Sequence, residues 1–196
     1  HLVNSLMSSE PAFHCYAEAA HSGGRRIDLI AFDLEIALAI EAKTFGNIGR
    51  ASNEAIGDID RLNEFSPIPS RSKENILPAN WWKSANERIG ILLVGSHSDV
   101  KVRQAWSAKD LVGATNAIDQ RARGSRLPIK SWSRENQIFL RLVAKLIRQQ
   151  AVRGSCSICE SQWFKTDDAY LLYAIFSLDS IAYRQAWSAP RSPPVK

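Results

Sequence analysis

The chain has 196 residues, a formal net charge of +5 and a hydrophobic fraction of 45%, which suits one folded domain, or one domain with an appendage. No stretch of about 18 apolar residues occurs, so neither a membrane-spanning helix nor a membrane partner is expected. Three cysteines are too few for a disulfide framework, and with no positively charged leader they indicate a reducing, cytoplasmic setting.

Charge is divided unevenly along the chain. Residues 1–100 carry 9 Lys and Arg against 13 Asp and Glu, whereas residues 101–196 carry 16 against 7. The basic residues are densest from Arg121 to Arg153, where nine of them accompany a single acid, Glu135. A basic surface of this kind suits a phosphate-backbone partner, although a surface adjusted for solubility explains it too.

The N-terminal sequence predicts a helix followed by two strands. Ser8 or Ser9 can cap a helix that runs to about Ala20. Two apolar strands are expected at about 26–32 and 36–44, joined by a tight turn. Because side chains two residues apart share one face of a strand, the two strands can present a common row of side chains.

The rest of the N-terminal half predicts a helix and a further strand. Residues 50–64 predict a helix with an apolar stripe formed by Ala51, Ala55, Ile59 and Leu62. A loop rich in Pro, Ser and Asn follows from residue 66 to about residue 80. The continuous apolar run 89–95 has the length and character of a central strand.

Three charged side chains fall inside the apolar hairpin. A hairpin that closes near residue 34 sets Asp28 roughly opposite Glu41, and Lys43 shares the face of Glu41. An exposed ion pair at a strand end would be a simpler explanation of Glu41 and Lys43. The surrounding residues read as interior, however, and buried charges are costly unless they are paired or bind a metal.

This combination of residues points to a defined chemistry. Two adjacent carboxylates repel each other and favour a shared divalent cation, and oxygen ligands suit Mg²⁺ or Mn²⁺. A neighbouring lysine can orient an attacking water or stabilise charge on a phosphate oxygen. A metal ion, a water and a lysine are what phosphodiester hydrolysis requires.

The motif itself resembles that of a known superfamily. Asp28, twelve intervening residues and then Glu41-Ala42-Lys43 resemble the PD-(D/E)XK nucleases, although Ile27 stands where the motif usually has Pro. The resemblance covers residues 9–95 and implies an α/β (α+β), restriction-endonuclease-like fold. Its core is αβββαβ, with a mixed central sheet flanked by helices. One strand of that core is not evident in the sequence, and it would be short or would precede the strand of Asp28.

The resemblance also implies roles for individual residues. Asp28 and Glu41 would bind Mg²⁺ or Mn²⁺, with the backbone carbonyl of Ala42 as a further ligand, and Lys43 would position the attacking water. Glu18, in the helix expected at 9–20, would add a carboxylate to the catalytic and metal-binding set. A solvated helix face with Glu10 and His14 at four-residue spacing explains Glu18 about as well.

Several basic residues are candidates for binding nucleic acid. Arg25 and Arg26 precede the first strand of the hairpin, and Arg61 lies on the helix after the motif, so each could clamp a phosphate. A longer helix expected from Arg134 to about Val152 carries a basic stripe that consists of Arg134, Arg141, Lys145 and Arg148.

The region beyond residue 100 is expected to be mainly helical. Besides the helix from Arg134, Ser107 can cap a helix to about Arg121, and Thr166 can cap another that contains 170–175. The predicted organisation is therefore a nuclease-like core at 1–100, a helical basic extension at 101–189 packed on it, and a disordered tail at 190–196.

Two features of this region have no assigned role. Cys156 and Cys159 have the spacing of a metal or redox pair but lack a second pair nearby, and two reduced cysteines in a turn are the favoured interpretation. The hexapeptide RQAWSA occurs at 103–108 and again at 184–189.

The sequence thus predicts a metal-dependent nuclease that acts on DNA, with RNA the less favoured substrate. Restriction, defence, repair and delivered-toxin roles all stay open, as does assembly into a homodimer or larger complex. The main alternative is a non-catalytic DNA-binding or interaction subunit on the same fold. The presence of Asp28, Glu41 and Lys43 together favours the catalytic interpretation.

Overall fold

A computed structural model of the chain describes residues 2–8, 13–20, 26–33, 35–44, 48–65, 81–96, 100–124, 129–157 and 170–179. Several residues and segments considered above lie outside the described residues: Arg25, the loop 66–80, Cys159, the second RQAWSA copy at 184–189 and the tail 190–196. The fold is of the α/β class, with a mixed sheet and helices in the described part of the chain.

One sheet of six described strands forms the centre of the molecule. The strands are β1 (His14–Ala20), β2 (Arg26–Phe32), β3 (Ile36–Thr44), β4 (Glu87–Ser96), β5 (Val152–Ser157) and β6 (Tyr170–Ser177). Their order across the sheet is β1-β2-β3-β4-β6-β5. β4 runs parallel to β3, and the other neighbouring pairs are antiparallel.

The named helices in the described ranges are α1 (Leu2–Met7), α2 (Ile48–Glu64), α3 (Val100–Trp106), α4 (Leu111–Gly124) and α5 (Ile129–Arg148), and residues 81–84 form a further helical turn. α2 is the crossover between the parallel strands β3 and β4, as a parallel pair requires. None of the helices in these ranges has the length and apolar character needed to cross a membrane.

The β2–β3 hairpin is fixed by a side chain in its turn. Oδ1 of Asp33 accepts hydrogen bonds from the backbone N–H groups of Glu35, at 2.7 Å, and Ile36, at 2.5 Å. Asp favours such turns because its short side chain can replace a backbone acceptor. The turn sets the pairing of the two strands, and thereby the position of every side chain along the hairpin.

Helices α2 and α5 cover one face of the sheet. The predicted apolar stripe of α2 is confirmed, since Ala51, Ala55, Ile59 and Leu62 are all buried. They belong to the main core, together with four buried residues of α5: Phe139, Leu142, Val143 and Leu146. A Cβ at Gly49 of α2 would lie 2.9 Å from Cγ and 3.2 Å from Cα of Glu135, so only glycine permits this close helix approach.

The opposite face of the sheet carries a second, smaller apolar cluster. Its buried members are Leu29, Ala31, Leu38 and Ile40 of β2 and β3, and Leu6 of α1 packs against them. Burial on both faces explains why β2 and β3 are nearly continuously apolar. The predicted interior position of β3 and the central position of β4 are both confirmed.

The helix predicted at 9–20 is wrong. Residues 14–20 form β1, which pairs antiparallel with β2 from His14 opposite Phe32 to Ala20 opposite Arg26. The segment is rich in alanine and has good intrinsic helix propensity, but pairing along the open edge of β2 decides its structure. β1 is also the strand that the sequence left unassigned, and it precedes the strand of Asp28.

Beyond residue 100 the described residues are mainly helical, as predicted, but they also include the strands β5 and β6. Residues 170–177, expected in a helix, form β6, which pairs with β4 and with β5. A short, continuous apolar run suits a buried strand as well as a helix, and here it pairs with the free edge of β4. One sheet therefore extends across the predicted boundary at residue 100.

Two helix boundaries in this region also differ from the prediction. Asp110, rather than Ser107, caps α4, because its Oδ1 accepts a hydrogen bond from the backbone N–H of Gly113 at 2.8 Å. α5 ends at Arg148 rather than near Val152, and Gln150 follows with a φ of 54°, a left-handed conformation that commonly ends a helix.

Candidate functional site

The β2–β3 hairpin brings two of the predicted carboxylates together. Leu29 pairs with Ile40, so the next step along the ladder sets Asp28 opposite Glu41, which confirms the predicted juxtaposition. Oδ2 of Asp28 also accepts a hydrogen bond from the backbone N–H of Ala42 at 2.8 Å. This bond holds the Asp28 carboxylate against the strand that carries Glu41.

Glu41 is a fully buried carboxylate with one unsatisfied oxygen. Its exposure is 0%, and its Oε1 accepts hydrogen bonds from Nη2 of Arg61 at 2.9 Å and from Nε of Arg61 at 3.3 Å. Its Oε2 has no hydrogen-bond partner and lies 4.0 Å from Nζ of Lys43. A buried carboxylate oxygen without a donor is costly, so a cation or a hydrogen-bond donor at this atom would stabilise it.

Burial also changes the ionisation of Glu41. Desolvation raises the pKa of its carboxyl to about 7, and the negative charges of Asp28 and Asp58 act in the same direction. The ion pair and hydrogen bond with Arg61 oppose this rise. The raised pKa of Glu41 therefore follows mainly from its burial and to a smaller extent from the neighbouring carboxylates.

Helix α2 adds a carboxylate that the sequence reasoning missed. Asp58 is 2% exposed; its Oδ2 lies 3.2 Å from Nζ of Lys43 and its Oδ1 pairs with Nη2 of Arg61. Burial raises the pKa of Asp58, against the opposing charges of Lys43 and Arg61. The sequence did contain a signal, because Asp58 continues the apolar stripe of α2 at three- and four-residue spacing, where a charge is unexpected.

The five side chains form a layered arrangement. Glu41 and Asp58 are buried beneath Lys43 and Arg61, whose side chains are 24% and 21% exposed, and Asp28 is also partly exposed. Three carboxylates face two cationic groups, so the cluster carries a formal charge of −1 when all are ionised. An additional cation would balance it, and solvent can reach the site from the side of Lys43 and Asp28.

Within the described ranges, no group of three or more His, Cys, Asp or Glu side chains is arranged to hold a metal ion. Asp28 and Glu41 form a pair, while the two oxygens of Asp58 face Lys43 and Arg61. The donor set that fits a divalent cation is thus Asp28 together with the unsatisfied Oε2 of Glu41.

Glu18 lies in β1 and not in a helix. Ala17 pairs with Leu29 and Ala19 pairs with Ile27, so Glu18 occupies the ladder position opposite Asp28. Its backbone position therefore continues the row formed by Asp28 and Glu41 across the sheet. Its side chain lies outside the described part of the chain, and its proposed role stays a prediction.

The structure separates the candidate nucleic-acid residues into three groups. Arg61 lies in the site itself, and Arg26 is exposed at the start of β2. Three residues of α5 are exposed on its outer side: Arg134, Arg141 and Arg148. The predicted stripe is therefore shorter by one member, because Lys145 is turned towards α2.

Lys145 joins the two helices that cover the sheet. Its Nζ forms an ion pair with Asp60 and lies 3.3 Å from the backbone carbonyl oxygen of Ile56. Both partners belong to α2, so the Lys145 ammonium is already engaged within the fold. The residue serves the packing of α5 on α2 more directly than it serves a phosphate.

Comparison of the chain with protein-family models, curated proteins and solved structures finds no match. The chemistry of the site is therefore inferred from its own residues: two apposed carboxylates, a third buried carboxylate, a lysine and an arginine.

Proposed function

We propose that the chain is a metal-dependent nuclease that hydrolyses phosphodiester bonds in DNA, in the manner of the PD-(D/E)XK superfamily. The observation that carries the proposal is the apposition of Asp28 and Glu41 around the unsatisfied Oε2 of Glu41. The element order from α1 to β4 supports it, since helix, three antiparallel strands, helix and parallel strand is the order of the restriction-endonuclease-like core.

Asp28 and Glu41 are the residues that would hold Mg²⁺ or Mn²⁺, with the backbone carbonyl of Ala42 as a further ligand. Both side chains offer hard oxygen donors, and the local excess of negative charge favours a divalent ion. Such an ion, when bound, lowers the pKa of a coordinated water and polarises a phosphoryl oxygen.

Lys43 is the residue best placed to act beside that ion. It follows Glu41 by two residues on the same face of β3, and its ammonium is held 3.2 Å from Oδ2 of Asp58. A fixed ammonium at this point can orient the attacking water and stabilise charge that develops on a phosphate oxygen. Asp58 keeps the lysine directed into the site.

Basic residues outside the site supply a surface for the phosphate backbone. Arg134, Arg141 and Arg148 recur every seven residues on the outer side of α5, about 10 Å apart at the helical rise of 1.5 Å per residue. Such a row neutralises phosphates without reading bases. The arginine row would therefore bind DNA of any sequence, and the buried cluster would hydrolyse the phosphodiester bond.

The proposal is tested by incubating the purified protein with plasmid and linear DNA in Mg²⁺, Mn²⁺, Ca²⁺ or excess chelator. We expect cleavage in Mg²⁺ and Mn²⁺, binding without efficient cleavage in Ca²⁺, and no cleavage in chelator. Glu64→Gln is the matched control for Glu41→Gln, because Glu64 is an exposed acid at the C-terminal end of α2. Undiminished cleavage in chelator, or in Glu41→Gln, would contradict the mechanism.

The exposed arginine row favours a second candidate, a non-catalytic DNA-binding subunit on the same fold. That function needs the surface of α5 and not the ionised carboxylates beneath Lys43. DNA binding that persists without cleavage in any of the three metal ions is the result that this candidate expects.

A further inference from the structure

Arg61 occupies an unusual position between two buried carboxylates. Its Nη2 contacts Oε1 of Glu41 at 2.9 Å and also pairs with Oδ1 of Asp58, while its Nε reaches the same Glu41 oxygen at 3.3 Å. Glu41 is the central ligand of the proposed metal site. The guanidinium therefore neutralises the carboxylate that a divalent cation would need.

We propose that Arg61 is a built-in substitute for the metal ion, and that it must release Glu41 for the cation to bind with full strength. The inference rests on the proposed divalent-cation site at Asp28 and Glu41. It assigns Arg61 a regulatory part in that site, beyond the phosphate contact expected from the sequence. Arg61 and the cation then compete for one carboxylate.

The need for such a substitute follows from burial. Glu41 is 0% exposed, so its charge cannot be solvated by water when no metal is bound. Its Oε2 already lacks a hydrogen bond, and without Arg61 the carboxylate would accept no hydrogen bond from a described side chain and would keep, among the described residues, only the Lys43 ammonium, 4.0 Å from Oε2, as a cationic neighbour. The guanidinium stabilises the ionised carboxylate of Glu41 in the metal-free protein, and the same interaction opposes binding of the metal ion.

Asp58 allows Arg61 to leave Glu41 without leaving the site. Asp58 and Arg61 are three residues apart on α2, a spacing at which side chains meet on one helix face. The Arg61 side chain is 21% exposed, so the guanidinium can turn towards solvent while it keeps its bond to Asp58. In that position it faces the side from which a phosphodiester would approach.

Lys43 is not the competing group. Its ammonium is 4.0 Å from Oε2 of Glu41 but 3.2 Å from Oδ2 of Asp58, so its nearer partner is the carboxylate outside the proposed ligand pair. The two cationic residues thus have separate tasks. Lys43 stays in place on β3, and Arg61 exchanges with the ion.

The test measures Mn²⁺ binding by calorimetry in the wild type, Arg61→Gln and Arg50→Gln. Arg50 is an exposed arginine of the same helix, so Arg50→Gln removes an equal charge at a point away from Glu41. We expect Arg61→Gln to bind Mn²⁺ more tightly, on the order of tenfold, because the ion no longer competes with a charge-assisted hydrogen bond. Arg50→Gln should stay within about twofold of the wild type, as expected for an exposed charge.

A second pair of measurements separates competition from a purely structural role. Metal-free Arg61→Gln should unfold at a lower urea concentration than the wild type, and saturating Mn²⁺ should reduce that difference. Asp58→Asn should shift Mn²⁺ affinity in the opposite direction, since the neutral amide oxygen is a weaker acceptor for Arg61 than the carboxylate, and Arg61 then remains on Glu41. If Arg61→Gln does not fold, Arg61→Lys serves instead; it keeps the charge without the forked donors and should give a smaller tightening.

The outcomes distinguish this inference from the proposed function. Equal Mn²⁺ affinity in the wild type and Arg61→Gln, with no binding in Glu41→Gln, overturns the competition and leaves the metal site standing. Failure of both proteins to bind Mn²⁺ overturns the site and the competition together. Binding in Arg61→Gln that is tighter than in the wild type, or that the wild type lacks, supports both.

Discussion

The chain concentrates charge in two places that differ in almost every physical respect. The cluster of Asp28, Glu41, Lys43, Asp58 and Arg61 lies between the sheet and α2, with two of its carboxylates buried. The arginines of α5 stand on the outer side of a neighbouring helix, in water. The charges of the cluster are few and paired, and their burial has a large desolvation cost. The arginines of α5 are solvated, and each contributes little to the free energy of folding. A single substitution should therefore have a large effect in the cluster and a small one on α5.

The largest effect is expected when either of the two apposed carboxylates is neutralised. Asp28→Asn and Glu41→Gln should abolish DNA cleavage, because each removes one of the two proposed metal ligands. The fold should persist, and relief of like-charge repulsion can even stabilise the metal-free protein. Plasmid cleavage assays with circular dichroism spectra of the same preparations check both parts. Near-wild-type rates in either variant would show that the ligands are misassigned.

Lys43→Ala should lower the cleavage rate by a factor on the order of 10², as is typical when a positioned donor is removed from an active site. Mn²⁺ affinity should change less than in Asp28→Asn, because Lys43 is not a ligand. Single-turnover cleavage and calorimetric titration of the same protein measure the two quantities. A collapse of metal binding in Lys43→Ala would instead indicate that the lysine holds the carboxylates in place.

The pH dependence of stability offers a test without DNA. The pKa of Glu41 is raised in the folded protein to about 7. A raised pKa means that the folded state binds the proton more tightly, so this contribution to stability is full below the unfolded pKa and is lost as the pH rises through about 7. At 1.36 kcal/mol for each unit of pKa, ionisation of Glu41 should cost the metal-free protein about 3 kcal/mol.

Urea unfolding at pH 5 and pH 8 in the presence of chelator measures this loss. The wild type should be less stable at pH 8, and Glu41→Gln should show a flatter profile because it has no proton to lose. Mn²⁺ should restore stability at pH 8 and have little effect at pH 5, where the proton competes with it. If the stability of Glu41→Gln falls with pH as steeply as that of the wild type, a group other than Glu41 is responsible for the loss.

The smallest effects are expected on α5. Replacement of Arg134, Arg141 and Arg148 by glutamine should weaken DNA binding to a similar degree in all sequences. The slope of log K against log salt should fall by about 0.9 for each phosphate that the variant no longer neutralises. Cleavage at saturating DNA should survive, since the cluster is unaltered. Fluorescence anisotropy at several salt concentrations measures the slope.

Lys145→Gln is the internal control for that experiment. Because Lys145 pairs with Asp60 of α2, its replacement should change the stability of the fold more than the salt slope. An unaltered slope in the triple arginine variant would mean that α5 faces water or a partner protein in the complex. Arg26 would then be the next candidate for contact with DNA.

The sequence was informative where one local pattern sufficed and misleading where a distant partner decided the structure. Alternation along β2 and β3 placed Asp28 opposite Glu41, and the stripe of α2 was correctly located. The local pattern of the segments 14–20 and 170–177 favours helices, yet both segments form strands because each pairs with an available sheet edge. Helix propensity describes a segment alone and contains no information about such an edge.

Asp58 shows the same limit within the site. Its position in an apolar stripe could have identified Asp58 as an unusual residue. Its role in the cluster becomes evident only from its contacts with Lys43 and Arg61 in the structure. The pairing of Arg61 with Glu41 joins residues on different elements, twenty positions apart, and no periodicity predicts it. The juxtaposition of Asp28 and Glu41 was therefore predictable from the sequence, and the cationic residues that pair with Glu41 were not.

The pairing of β4 with β6 has a consequence for how the chain acquires its structure. The proposed site draws all its residues from the segment between Asp28 and Arg61, so it can begin to assemble from neighbouring parts of the chain. The pairing of β4 forms later, because Ile91 of β4 pairs with Ile175 of β6, which is distant in the sequence. Non-local pairing of this kind slows folding and leaves an unpaired strand edge in the interval. A strand from the C-terminal part of the chain therefore completes the sheet of the N-terminal half, so the folding of the two parts is coupled through β4 and β6.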